Sequence, residues 1–121
     1  MKVLVVDDSS TMRRIIANAL KKVGAGEIVE AGNGAEGLQQ LNAGTVDLIV
    51  TDWNMPVMNG LEFVRELRTL ASCATTPVLM VTTNAESADV SGAKEAGVND
   101  YVVKPFTADT LQDKISALMK K

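Results

Sequence analysis

The feature that most constrains this chain is an alternation of two hydrophobic periods along its length. The apolar runs Lys2–Val6, 46–51 and 77–82 have the character of strands buried on both faces. Glu27–Ala31 and Asp100–Val103 are weaker strand candidates, the first amphipathic and suited to a sheet edge. Helical periods separate them. Met12, Ile15, Ile16, Ala19, Leu20 and Val23 fall at i, i+3, i+4, i+7, i+8 and i+11, the spacing of one helix face. Asp8-Ser9-Ser10 offers N-cap chemistry before that helix, and Gly24-Ala25-Gly26 stops it. Further helices are expected over 33–41 (Ala35, Leu38 and Leu41 on one face), over 60–70 (Leu61, Val64 and Leu67 inward) and over 85–96. A last one, Ala108–Met119, carries a stripe of Leu111, Ile115, Leu118 and Met119. The helix over 85–96 is a poor one, with short side chains and Gly92 inside it.

Five strand–helix units imply an α/β protein: a parallel sheet with helices on both faces. Right-handed crossovers restrict the topology. The chain has 121 residues, 46% of them hydrophobic, which suits one domain over 1–121 with no output domain. That length fits a flavodoxin-like (βα)5 fold of strand order 2-1-3-4-5, whereas a closed eight-fold barrel needs about 250 residues. No apolar stretch approaches the roughly 20 residues of a membrane span. The first apolar run is shorter than the roughly 7–15 residues of a signal-peptide core. A cytoplasmic protein is expected.

Composition removes several chemistries. There are no histidines, so there is no imidazole base and no phosphohistidine on this chain. The single cysteine, Cys73, precludes an internal disulfide or a cysteine metal cluster and reads as an ordinary free thiol. A net charge of −3 gives no general attraction to nucleic acid or anionic membrane. Four aromatic residues are too few for a base-stacking surface.

In open parallel sheets ligands bind at the carboxyl ends of the strands, near the switch in strand order. Strand 1 ends in Asp7-Asp8, strand 3 in Asp52, strand 4 in Thr82-Thr83 and strand 5 in Lys104-Pro105. One such residue would be unremarkable turn chemistry, but here four neighbouring strands present phosphoryl-transfer groups together. Three carboxylates in one crevice either take up protons or hold a cation. Carboxylates, a backbone carbonyl and waters are the oxygen ligands Mg²⁺ prefers, usually shared with a phosphate. A lysine and a threonine hydroxyl opposite would hold the remaining phosphoryl oxygens. A carboxylate is a competent nucleophile toward phosphorus. Asp52, between the other acids and Lys104, is the best candidate.

The motifs Val5-Val6-Asp7-Asp8-Ser9, Thr51-Asp52-Trp53-Asn54-Met55-Pro56, Val81-Thr82-Thr83 and Tyr101-Val102-Val103-Lys104-Pro105-Phe106 resemble the receiver domain of bacterial two-component response regulators. The resemblance covers essentially the whole chain. Ser10-Thr11-Met12-Arg13-Arg14-Ile15 and Lys104-Pro105-Phe106-Thr107-Ala108 are most similar to the single-domain chemotaxis regulators of that family. The resemblance implies that Asp52 accepts a phosphoryl group from a phosphohistidine of a sensor kinase. It implies that Asp7, Asp8, Asp52 and the Asn54 carbonyl bind Mg²⁺. Lys104 would pair with Asp52 and then with the phosphoryl group, Thr82 would swing in to a phosphoryl oxygen, and Tyr101 would follow from an exposed to a buried rotamer. Pro105 would follow a cis peptide that aims Lys104. Asn54, Thr83 and Asn84 resemble the family's lifetime-tuning positions, and Thr83 replaces a common alanine there. The chain would be a phosphoacceptor switch rather than an enzyme, although one that assists its own phosphorylation and dephosphorylation. It would act as a monomer, with a flagellar motor switch protein or another protein downstream and a phosphatase as a further partner.

Phosphorylation adds about −1.5 to −2 charges. A near-complete two-state shift needs about 5 kcal/mol, of which a Thr82 hydroxyl bond to an anionic oxygen would supply about 1.5–3. The helix after Thr82 is the element expected to move, and the partner surface is expected on that helix, strand 5 and the last helix. Three other features are read more plainly. Gly32-Asn33-Gly34-Ala35-Glu36-Gly37 matches a dinucleotide fingerprint but follows an edge strand, so it reads as a turn and cap. Arg13 and Arg14 read as a solvated face, and Trp53 as exposed beside the site. Two other functions fit the same residues. A phosphorelay intermediate would use them identically, whereas a Mg²⁺-dependent phosphohydrolase would need an acid/base group and a substrate lid that the chain lacks.

Overall fold

The computed structural model describes residues 2–53, 57–82, 96–104 and 106–119. Five parallel strands form one sheet of order β2-β1-β3-β4-β5. They are β1 (Lys2–Val6), β2 (Glu27–Ala31), β3 (Leu48–Asp52), β4 (Val78–Thr82) and β5 (Asp100–Val103). The helices among the described residues are α1 (Ser10–Lys22), α2 (Gly34–Ala43), α3 (Gly60–Leu67) and α4 (Ala108–Met119), with a 3-10 turn at Ala71–Cys73. This is the flavodoxin-like order. The helix expected over 85–96 falls, apart from Ala96, outside the described residues.

Alternate strand residues point to opposite faces, and each face carries its own core. Leu4, Val6, Ile49, Val78 and Met80 pack with Leu41 of α2 and Phe63, Val64 and Leu67 of α3. Val3, Val5, Leu48, Val50, Leu79, Val81 and Val102 pack with Ile16, Ala19 and Leu20 of α1 and Leu111 and Ile115 of α4. Double-sided burial explains why β3 and β4 read as unbroken apolar runs. β2 lies at the edge, and its Glu27 and Glu30 are exposed, a charge pattern that discourages edge-to-edge pairing.

The helices start where side-chain caps permit. Ser9 accepts the Met12 N–H, Asn33 that of Glu36, and Asn59 that of Glu62 in a reciprocal capping box. Two core assignments change. Ile15 is 44% exposed while Ala17 is buried; α1 meets the sheet through Ile16, Ala19 and Leu20 and leaves Ile15 on its flank. In α3 the fully buried aromatic is Phe63, and Leu61 is only partly covered. Phe63 fits because α2 presents Gly37 to it: a Cβ there would lie 2.9 Å from the ring. The glycine motif 32–37 thus serves helix packing. Two of its N–H groups are also taken by side chains: the Glu36 carboxylate accepts the Gly32 N–H at 3.0 Å and the Asn33 side chain accepts the Glu36 N–H at 2.9 Å.

Candidate functional site

The parallel register gathers the site. Val6 pairs with Thr51, Asp52 with Val81 and Thr82 with Val103, so Asp7 leaves β1 beside Asp52. Backbone bonds continue the ladders past the strand ends: Asp7 N–H to Ala31 O (3.1 Å), Trp53 N–H to Val81 O (3.0 Å) and Lys104 N–H to Thr82 O (2.7 Å). These bonds fix the backbones from which the side chains converge.

Asp7 is fully buried, Asp52 is 5% exposed and Asp8 is exposed. One carboxylate oxygen from each of the three lies within 4.8 Å of the others. The Lys104 ammonium stands 3.2 Å from Asp52 Oδ1 and 3.8 Å from Asp7 Oδ2. Asp52 Oδ1 also accepts the Trp53 N–H at 2.9 Å. Asp7 Oδ1 accepts the Ser9 N–H at 2.9 Å, while its Oδ2 is buried with no hydrogen-bond partner. The lysine contact to Oδ2 is an ion pair at too long a distance to be a hydrogen bond. Burial pushes the Asp7 carboxyl above its usual range, and the charges of Asp52 and Asp8 push the same way. The Ser9 N–H and Lys104 oppose them without cancelling the effect.

Three carboxylates thus face one ammonium, and one of their oxygens is buried without a donor. Such a set has the charge and the unsatisfied oxygen that suit a cation. The hard oxygen ligands and the open side at Asp8 fit a divalent ion of the Mg²⁺ kind.

Thr82 is buried at the end of β4, on the strand next to β3. Tyr101 stands further down β5, level with Met80. Its ring is half-buried against the α2/α3 core, with the Lys114 ammonium 5.7 Å from its centroid and that lysine held by Asp100 at 3.2 Å. Trp53 is half-buried against the same core, less exposed than expected. Asn54, Thr83, Asn84 and Pro105 lie outside the described residues.

One residue departs from its sequence reading. Arg13 is not a solvated side chain. It is 21% exposed, donates to the Asp7 carbonyl at 2.6 Å and pairs with Glu30 at 2.9 Å. Arg14 is exposed as expected. The signal for Arg13 was its place one turn into α1, facing the edge strand whose Glu30 pairs with Val5, one residue before the β1 end. The Ser9 and Trp53 N–H groups were also missed, because backbone donors leave no mark in a sequence.

Fold and pocket together define a doubly wound α/β module whose strands end in an acidic, lysine-bearing crevice. Residues 3–116 match the response regulator receiver domain, and the chain belongs to that family. It is 46% identical over 120 residues to the chemotaxis protein CheY1 of Helicobacter pylori, covering 98% of this chain and 97% of that one. It is 47% identical over 121 residues to the chemotaxis protein CheY of Pseudomonas aeruginosa, covering 100% and 98%. The structure of Vibrio cholerae CheY4 superimposes with a TM-score of 0.91 at 36% identity, over 97% of both chains. The receiver domain of a Pseudomonas aeruginosa sensor histidine kinase, 26% identical, superimposes with a TM-score of 0.88 over 99% of this chain and 98% of that one. That structure holds a magnesium ion in its active-site cleft. No helix among the described residues is long and apolar enough to cross a membrane.

Proposed function

We propose that this chain is a chemotaxis response regulator whose Asp52 takes a phosphoryl group from the phosphohistidine of a sensor kinase. The observation that carries the reading is the placement of Asp52, buried within reach of the Asp7 and Asp8 carboxylates and 3.2 Å from the Lys104 ammonium. Asp52 Oδ1 is engaged by Lys104 and the Trp53 N–H, so Oδ2 is the oxygen assigned to attack. The new bond is Oδ2–P and the bond broken is the partner's P–N, the leaving imidazole taking its proton from solvent. Asp7, Asp8, Asp52 and the Asn54 carbonyl would hold Mg²⁺, which would neutralise charge on the transferring group. Lys104 would hold a second phosphoryl oxygen and Thr82 a third. Thr83 and Asn84, beside Thr82, and Asn54 would set access of water and so the lifetime, while Pro105 would aim Lys104.

On this reading the chain is a switch and not a turnover enzyme. Tyr101, between the core and the groove lined by Val103, Phe106 and Lys114, would carry the change to a downstream partner on β5 and α4. The resemblance to the CheY proteins supports a flagellar motor switch protein as that partner, a cytoplasmic location and a monomeric state.

The test is intact mass after incubation with acetyl phosphate. The expected result is a Mg²⁺-dependent gain of one phosphoryl group that decays with time and is absent in Asp52→Asn. Continuous phosphate release without a mass gain would instead support a hydrolase.

A further inference from the structure

Arg13 sits in a polar groove that it lines together with Asp8, Glu30 and Glu36. Its guanidinium spans two elements. One nitrogen donates to the Asp7 carbonyl at 2.6 Å and Nε donates to Glu30 Oε1 at 2.9 Å. That carbonyl belongs to the peptide linking Asp7 to Asp8, so the bond fixes the plane from which the Asp8 side chain departs. Nothing else among the described residues does this: Asp8 is exposed, and its carboxylate makes no hydrogen bond or ion pair. A lone cation here would also oppose binding of a divalent ion nearby. Glu30 removes that objection by making the bracket neutral as a pair.

We propose that Arg13, held by Glu30, is a positioning residue that sets the Asp7–Asp8 peptide and thereby the geometry in which the three carboxylates take a divalent cation. The proposal rests on reading Asp7, Asp8 and Asp52 as a Mg²⁺ site. The role is orienting, since Arg13 reaches the site through the Asp7 carbonyl and not through a carboxylate of the cluster. Residues that orient the ligands of a metal commonly set its affinity by about 10–100-fold.

The test is Mg²⁺ titration of the whole protein, followed by Trp53 emission and by calorimetry, alongside metal-free thermal unfolding. The informative variant is the double change Arg13→Gln with Glu30→Gln, which deletes the bracket while leaving net charge unaltered. A charge effect alone predicts wild-type affinity. The positioning role predicts a Kd at least about 10-fold weaker, with the metal-free unfolding temperature little changed. Arg13→Lys, whose ammonium still reaches the Asp7 carbonyl, should recover part of the loss. Wild-type Mg²⁺ affinity in the double variant would overturn the proposal. So would a loss of affinity matched by a loss of metal-free stability, or one that Arg13→Lys fails to rescue. Failure of the wild-type protein to bind Mg²⁺ at all would instead overturn the metal reading itself, and this role with it.

Discussion

The two ends of the sheet solve the problem of buried charge in opposite ways. At the carboxyl end, three carboxylates face one ammonium, and Asp7 Oδ2 is buried without a donor. At the amino end, the half-buried guanidinium of Arg68, just past α3, has no carboxylate partner among the described residues, but both its terminal nitrogens are bonded to acceptors. One nitrogen donates to the carbonyls of Cys73 and Thr76 at 2.7 Å each, and the other to the Gly97 carbonyl at 2.6 Å and to Asn99 Oδ1 at 3.1 Å. Desolvation lowers its pKa, yet a guanidinium stays charged in proteins. It joins the end of α3 to the loops that enter β4 and β5. One end is satisfied and so contributes stability. The other is left short of positive charge and so is ready for a cation and a phosphoryl group.

The comparison breaks if the guanidinium is dispensable. Arg68→Met keeps most of the side-chain length and removes every donor. Four oxygens then lose a charged partner, each such bond being worth about 1.5–3 kcal/mol with strong overlap between them. Urea unfolding should show a loss of about 3 kcal/mol, the largest effect expected of any change outside the site. A loss below about 1 kcal/mol would mean that water replaces the guanidinium and that the amino end owes little to it. Gly97→Ala should reproduce part of the effect. Gly97 has φ +114°, and a Cβ there would lie 2.7 Å from Arg68 Nε. The cost should be about 2 kcal/mol, from left-handed strain and the displaced guanidinium together.

The site end should respond with the opposite sign. The Asp7 carboxyl is raised from its usual value by burial and by its acidic neighbours. The folded state therefore binds a proton more tightly than the unfolded one. Between the ordinary carboxylate value of 3.8 and the raised folded value, stability falls as pH rises, and the penalty persists at neutral pH. Asp7→Asn removes that slope and should make the metal-free protein more stable at pH 7. Mg²⁺ should reverse the ranking. It stabilises the wild type in proportion to the logarithm of its concentration, and the variant far less. Denaturation curves at pH 5 and 7, with and without Mg²⁺, check both statements. A variant that is less stable than wild type without metal would mean that Lys104 already compensates Asp7.

Much of this arrangement could be read from the residues. Strand order followed from the count of βα units, and Asp7, Asp8, Asp52, Thr82 and Lys104 followed from where apolar runs stop. A chemistry-bearing side chain at a strand terminus leaves a sequence signature, because strand and turn periods locate it. Arg68 leaves none: its acceptors are mostly carbonyls, and carbonyls have no residue identity. Arg13 failed for the related reason that half of its partnership is the Asp7 backbone. Ile15 misled because helical spacing gives a face about a turn wide and does not say which edge the sheet covers. Thus local caps and residues at strand ends were legible, and long-range partnerships with backbone carbonyls were not.

Backbone strain divides the molecule in the same way and gives the smallest test. Among the described residues, the left-handed conformations away from the site fall on glycines, Gly24 at φ 94° and Gly97 at φ 114°. In the loop after β3, by contrast, a β-branched residue carries one: Val57 at φ 70°, with 82% of its surface exposed. A left-handed conformation costs an ordinary L-residue about 1–2 kcal/mol, and Val57 regains nothing by burial. Asparagine tolerates this region better, so Val57→Asn should stabilise the protein by about 1 kcal/mol. The same change at a relaxed position would be neutral. A gain in urea midpoint at unchanged slope would place strain at the site end, five residues from Asp52 in sequence, where the glycines elsewhere have relieved it. No gain would mean that the loop relaxes in solution and that the two ends differ in charge alone.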